Sequence, residues 1–288
     1  MIERSVVNRI AKLLTRSDEG ILTVSRDLIS QINETSKIYD FNINHIPKHQ
    51  KIIRFMADTK KRVYIGNEFE NNSKNEIHKQ VSQKTLSELL LNGDISNALY
   101  LPGQKAILAD VKIESCVILA GSFNPLHHGH RQLLSSAIKT AGHELMGVYE
   151  LSISNCSKNT IHDHEIFDRS LQFEDAGAPL LITNRPYFRD KVEFIDKNSW
   201  FCIGADTYRR FFDAKYYDGV EQLMDFTQFL IKNDVRLVVG PRLSTNKVDT
   251  VQDYLAMVPE SYRLSVREIE NFRVDISSTQ IRNSRILV

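Results

Sequence analysis

From residue 115 onward, short apolar runs alternate with stretches of helical periodicity. CVILAG is followed by HRQLLSSAIKTAG and LMGVYEL by HEIFDRSLQFEDAG; then come APLLIT, SWFCIGA with DTYRRFF, and VRLVVGP. Near-continuous apolar strands separated by helices are the pattern of a parallel sheet buried on both faces. Because strand–helix–strand crossovers are right-handed, the expected fold class is α/β, a doubly wound, Rossmann-like parallel sheet. Ligands of such sheets bind beyond the carboxyl ends of the strands.

Residues 1–112 have a different texture, polar and mainly helical, interrupted by loop-like stretches such as DFNINHIPKH and NEFENNSKNE. In MIERSVVNRIAKLLTRS, Ile2, Val6, Ile10 and Leu13 repeat at helical spacing. The segment is rich in arginine, but Glu3 and the following SDEG are acidic, which argues for an amphipathic helix of the fold rather than an organelle presequence. QVSQKTLSELLLNG reads as one helix closed by a glycine just past its end, and YLPGQ as a turn. No repeat and no chemistry-bearing motif occurs before residue 113. The expected organisation is therefore an N-terminal, mainly helical region of unknown role (1–112) and an α/β domain (113–288).

Bulk properties exclude several classes. With a net charge of +1 over 288 residues, the chain is not a polybasic nucleic-acid binder. No apolar run approaches the roughly 20 residues that span a bilayer, so no membrane partner is expected. Cys116, Cys156 and Cys202 are far apart and odd in number, and two lie in strand-like runs. Buried, reduced thiols in a reducing cytoplasm are the expectation.

The first strand of the alternating region ends in GSFNPLHHGH, residues 121–130. Gly121 permits a sharp turn and a close approach of ligand to backbone. Asn124-Pro125 stops the strand, and a helix begins at His127 or His128. His127 and His130 then share one face of the first turn, with His128 pointing elsewhere. Unpaired backbone N–H groups and the positive dipole end lie at the same place, which makes an anion site with two imidazoles added. One rival reading is a metal site drawing in His162 and His164; another is a pair of satisfied core histidines. The spacing, Gly129 and the position at a helix N-terminus favour phosphate, so no protein-held metal is expected.

GSFNPLHHGH resembles the HxGH signature of the nucleotidylyltransferase superfamily, in the form found in nicotinamide mononucleotide adenylyltransferases. FCIGADTYRRF (201–211) resembles the family's strand-end GAD segment, and DISSTQIR (275–282) its ISSTxIR motif. YELSISNCSKNTI and NRPYFRDKVEF are similar to a branch designated only nucleotidylyltransferase-like. The resemblance covers 115–288. It implies transfer of an adenylyl group from ATP to a phosphomonoester such as nicotinamide or nicotinate mononucleotide, with release of pyrophosphate and with Mg2+ carried on the phosphates. It implies catalytic roles for His127, His130 and Arg282. It implies nucleotide binding by Gly121, Ser122, Phe123 and Gly129, by Gly204 and Asp206, and by Ser277, Ser278 and Thr279. Acceptor contacts would come from Lys158 and, more weakly, Arg169.

The residues support these assignments to different degrees. Ser277 or Ser278 suits an N-cap, and Thr279 with Arg282 would share a helix face, forming a second phosphate cradle. Asp206 would accept hydrogen bonds from ribose, cap the DTYRRFF helix, or do both. Lys158 suits an acceptor phosphate as a mobile point charge, or is a solvated surface lysine. Trp200 would stack on a pyridine or, at a strand start, pack in the core. His162 and His164 mark a helix start and receive no role. The helix dipole opposes protonation of the site histidines, whereas bound polyphosphate favours it.

Two departures leave the acceptor open. Only six residues follow Arg282, fewer than the family's longer terminal helix, which implies looser closure over the triphosphate. The proline-rich PPHK-type segment of bacterial nicotinate mononucleotide enzymes is absent. Phosphopantetheine, a sugar phosphate or a polyol phosphate are alternative acceptors, and CTP an alternative donor. A non-enzyme alternative is an idle nucleotide-binding sensor or scaffold, against which intact His127, His130 and Arg282 argue. An aminoacyl-tRNA synthetase fragment would need a KMSKS-like loop and a basic face, both lacking.

Overall fold

The computed structural model describes residues 22–24, 52–55, 63–65, 85–100, 106–142, 145–154, 160–161, 163–244, 247–270, 272 and 276–285. The strands are β1 (Leu22–Val24), β2 (Ile52–Phe55), β3 (Val63–Ile65), β4 (Asn97–Tyr100), β5 (Ala106–Ala109), β6 (Val111–Ile113), β7 (Cys116–Ala120), β8 (Met146–Ser152), β9 (Leu180–Thr183), β10 (Ser199–Gly204), β11 (Val235–Gly240), β12 (Arg242–Ser244), β13 (Lys247–Asp249) and β14 (Val266–Glu268). The helices are α1 (Leu86–Leu91), α2 (His128–Ala141), α3 (Asp163–Ala176), α4 (Phe188–Lys191), α5 (Ala205–Phe211), α6 (Val220–Lys232), α7 (Val251–Tyr254) and α8 (Ser278–Arg285). The chain divides into two compact units, Met1–Lys112 with Ile153–Asn184, and Ile113–Ser152 with Arg185–Val288.

In the second unit β14, β11, β10, β7 and β8 lie side by side in that order, every pair parallel. Their apolar runs explain the arrangement: Val117, Phe201, Cys202, Leu237, Val238 and Val239 are completely buried, as strands covered on both faces require. The α2 connection runs from β7 to β8, and the α5–α6 connection from β10 to β11, the opposite direction across the sheet. Right-handed crossovers in opposite directions cover opposite faces, so the fold is doubly wound with its switch point between β7 and β10. Trp200, the second residue of β10, is buried, flanked by the guanidinium groups of Arg236 and Arg267 at 5.3 and 5.0 Å. It is a core residue. Cys116 and Cys202 are free and buried, and burial pushes the Cys116 thiol up to about 12; Cys156 lies outside the described residues.

In the first unit β9, β4, β5, β2 and β3 pair antiparallel in that order. Helix α1 opens with a reciprocal cap, Thr85 N–H to Glu88 Oε2 at 2.7 Å and Glu88 N–H to Thr85 Oγ1 at 3.3 Å. It closes at Gly93, whose φ of +70° needs a residue without a Cβ. The Asp163 carboxylate, opening α3, accepts from Ser87 N–H (3.0 Å) and Ser87 Oγ (2.6 Å) and so ties α3 to α1.

The described part of 1–112 holds the helix α1 among strands; the rest of that region, expected to be mainly helical, lies outside the described residues. IIRF, VYI and AILA are too short for a readable alternation, and their pairing energy comes from neighbours distant in sequence. The APLLIT strand, β9, pairs antiparallel with β4, Leu181 opposite Leu99. An apolar run says that a strand is buried, not which way its neighbour runs. The amphipathic helix expected at 1–17 lies outside the described residues.

Candidate active site

Strand β7 ends at the switch point, and the loop that follows is anchored at once: Gly121 N–H donates to Glu150 O on β8 at 3.0 Å. Glycine recurs along this rim. Gly204 ends β10 opposite Gly240, the last residue of β11, and the β7–β10 register of Leu119 opposite Cys202 carries Gly121 to the same level as Gly204. The three have different reasons. A Cβ on Gly240 would lie 2.5 Å from Leu133 of α2, and one on Gly121 would lie 2.8 Å from the Phe123 ring. A Cβ on Gly204 would meet nothing within 4 Å, so its missing side chain leaves space for a ligand.

Helix α2 starts at His128 with His127 as its N-cap residue. The His127 and His130 rings stack at 3.8 Å with 25° between their planes, on one face of the first turn. His127 N–H donates to His130 Nδ1 at 3.3 Å. The protonated nitrogen of neutral His130 is therefore Nε2, which remains a donor. Burial, and then the neighbouring His127, holds His130 down to about 4; burial and His128 also lower His127. Both rings are neutral at pH 7 in the unliganded protein. Sequence reasoning weighed the helix dipole and missed burial, which is the larger effect. Gly129 is buried in the same turn, and His128 is exposed.

Helix α8 lies against this loop. Ser278 Oγ donates to Pro125 O at 2.9 Å, and the Arg282 guanidinium donates both to Asn124 O and to Thr279 Oγ1, the latter at 3.0 Å. Ser277 Oγ accepts from Gln280 N–H at 3.2 Å while Gln280 Oε1 accepts from Ser277 N–H at 2.7 Å, a capping pair that starts the helix. Residues 127, 130 and 282, far apart in sequence, thus meet around one loop at a helix N-terminus.

The remaining candidates lie on other elements or outside the described residues. Gly204 is the N-cap residue of α5, and Asp206 lies in its first turn with a side chain outside the described residues. Ser122 lies partly buried in the loop. Phe123 is completely buried, so its ring is not presented to a ligand. Lys158 and His162 lie outside the described residues. Arg169 belongs to α3 in the first unit and pairs with Glu165 at 2.9 Å; His164, also on α3, is exposed.

Two features escaped sequence reasoning. Glu150 and Lys191 form a buried ion pair at 2.6 Å, the Glu150 backbone being the anchor of Gly121. A carboxylate inside the apolar run LMGVYEL was the available signal. The Nδ1 of His127 and the Oγ of Ser152, at the end of β8, are buried with no hydrogen-bond partner among the described residues. Such atoms are ones a ligand can satisfy.

The fold and this rim define a class: a Rossmann-like α/β protein with paired histidines at a helix N-terminus beside its switch point. A family model described as cytidylyltransferase-like matches residues 118–284, and the chain belongs to this family of the nucleotidylyltransferase superfamily. A probable nicotinate-nucleotide adenylyltransferase of Fusobacterium nucleatum subsp. nucleatum is 23% identical over 180 residues, 58% of this chain and 84% of that protein. A solved structure of Plasmodium falciparum nicotinic acid mononucleotide adenylyltransferase complexed with NaAD matches with a TM-score of 0.37 and 14% identity, over 58% of this chain and 82% of that one. Among the described residues, no helix is long and apolar enough to cross a membrane.

Proposed function

We propose that this protein is an adenylyltransferase that moves AMP from ATP to a phosphomonoester, with residues 113–288 carrying the chemistry. A nicotinate or nicotinamide mononucleotide is the acceptor class favoured, in keeping with the name of the Fusobacterium relative. One observation carries the reading: the Arg282 guanidinium is held on the Asn124 carbonyl of the loop that leads into His127 and His130. Two imidazoles, a guanidinium and a helix N-terminus then serve one polyphosphate.

In the reaction an acceptor phosphate oxygen attacks the α-phosphorus in line. The new P–O bond forms as the bond from the α-phosphorus to the α–β bridging oxygen breaks, and pyrophosphate leaves with that electron pair. The nucleophile is already anionic, so no general base is needed, and catalysis is positioning plus neutralisation of developing charge. Nε2–H of His130 and the His127 imidazole donate to the α-phosphate, while Arg282 and the α8 N-terminus hold the departing β- and γ-phosphates. Gly204 leaves room for the nucleoside, and Asp206 accepts from ribose. A magnesium ion carried on the phosphates would supply further charge neutralisation.

The test is pyrophosphate release from ATP or CTP across a panel of phosphomonoesters, comparing wild type with His130→Ala. The expected result is ATP-dependent release with a mononucleotide acceptor and a loss of about 10²-fold or more in the variant. ATP binding with no turnover on any acceptor would make the protein a nucleotide sensor instead.

A further inference from the structure

Phe123 has a backbone φ of +44°, a left-handed conformation in which a bulky side chain is rare. Holding it there is unfavourable for an L-residue with a bulky side chain, and the surrounding packing must offset that. The conformation accompanies a ring that is 0% exposed, lodged inside the unit at the base of the phosphate loop. The ring meets His130 edge-to-face, with centroids 5.1 Å apart and planes at 79°, and meets Tyr149 of β8 at 5.3 Å and 90°. Gly121 lies against it, since a Cβ there would sit 2.8 Å from two of its ring carbons.

His130 is consequently gripped by two rings. His127 stacks on it at 3.8 Å, and Phe123 stands nearly perpendicular to it. In this seat Nδ1 receives the His127 N–H at 3.3 Å. A ring free to rotate about its side-chain torsions would lose that bond, and with it the preference for hydrogen on Nε2.

We infer that Phe123 is a positioning residue, seating the His130 imidazole so that Nε2–H is the group left to donate to the α-phosphate. The inference rests on the adenylyl-transfer reading only for the identity of the acceptor of that hydrogen bond; the seating itself is a property of the unliganded protein. Phe123 acts through His130 and touches no substrate with its ring. Gly121 has a matching role, leaving the space the ring occupies.

Long-range 15N–1H spectra of the histidine side chains, recorded on the full chain across pH, test the seating without any substrate. In wild type, His130 shows the Nε2–H tautomer and a midpoint near 4. In Phe123→Leu, the His130 signals move to a mixture of tautomers and the midpoint rises by about one unit, as a ring released towards solvent requires. Turnover falls about tenfold or more while the KM for ATP changes less than about threefold, the pattern of a misplaced transition-state donor. Gly121→Ala pushes the ring without deleting it and produces the same change at His130, so it carries the test if Phe123→Leu does not fold. Unchanged His130 tautomer and midpoint in a folded variant would overturn the inference. If instead those signals move as expected but His130→Ala turns over normally, the seating stands and the adenylyl-transfer reading fails.

Discussion

Arg282 donates a hydrogen bond from its guanidinium to the backbone carbonyl of Asn124, 158 positions earlier in the chain. The same guanidinium reaches Thr279 Oγ1, and Ser278 holds the neighbouring carbonyl of Pro125. The last described helix is thereby fastened to the loop that starts the first helix of the sheet domain.

This contact makes Arg282 a loop clasp, and the proposed reaction adds a second duty, phosphate ligand. Arg282→Ala is expected to lower pyrophosphate release by about 10²-fold, the scale of a lost charged donor. Arg282→Lys keeps the charge but not the fork, and should recover only part of the loss. Ser278→Ala removes one neutral hydrogen bond and should cost about 1 kcal/mol in urea unfolding with a much smaller effect on turnover. Equal effects of Arg282→Ala and Ser278→Ala on turnover would reduce Arg282 to the clasp alone.

The glycines at the strand ends separate packing from binding. Gly240→Ala drives a methyl against Leu133, 2.5 Å away, and should destabilise by about 1–2 kcal/mol. Gly204→Ala meets open space and should leave the denaturation midpoint unchanged. Its methyl enters the volume assigned to the nucleoside, so ATP binding by calorimetry should weaken by about tenfold, roughly 1.4 kcal/mol. Unaltered ATP affinity in Gly204→Ala would move the nucleoside elsewhere.

The neutral histidines make stability depend on pH. His130 has a folded value near 4 against 6.5 for a free imidazole, and His127 is lowered as well. Below 6.5 the unfolded chain binds protons that the folded protein refuses, so stability is intact above that value and drains away as pH falls towards 4. Urea midpoints should therefore drop between pH 7 and 4.5, and drop less in His130→Asn. Saturating ATP should oppose the drop, because a bound polyphosphate raises both imidazoles.

The Glu150–Lys191 pair, with 2% and 5% of the side chains exposed, is expected to punish single changes and forgive a double one. Glu150→Gln or Lys191→Met alone leaves a buried charge without its partner and should cost about 3–5 kcal/mol. Glu150→Leu combined with Lys191→Met removes both charges and should regain most of that. A double-mutant cycle in urea measures the coupling.

Much of the site was legible because its signals are local. A glycine at a strand end, an Asn-Pro stop, histidines three apart at a helix start and a serine cap each report on neighbouring residues. The same locality hid Phe123. As one letter of GSFNP it reads as a ligand contact, whereas its burial against Tyr149, on another strand, turns it towards His130. Burial likewise decides the charge of His130, a quantity no spacing encodes.

By itself, the sequence determined the alternation of buried strands with helices through β7, β8, β10 and β11, and hence a parallel sheet whose candidate site follows the end of β7; the strand order and the edge strand β14 were not legible in it. Hydrophobic period and turn chemistry act over a few residues, so a linear reading captures them. Tertiary structure alone decided that Leu180–Thr183 pairs antiparallel with Asn97–Tyr100, that Lys191 neutralises Glu150, and that Arg282 meets Asn124. Those outcomes depend on desolvation and on contacts between segments dozens to more than a hundred residues apart, and such energies exist only once the chain has closed on itself.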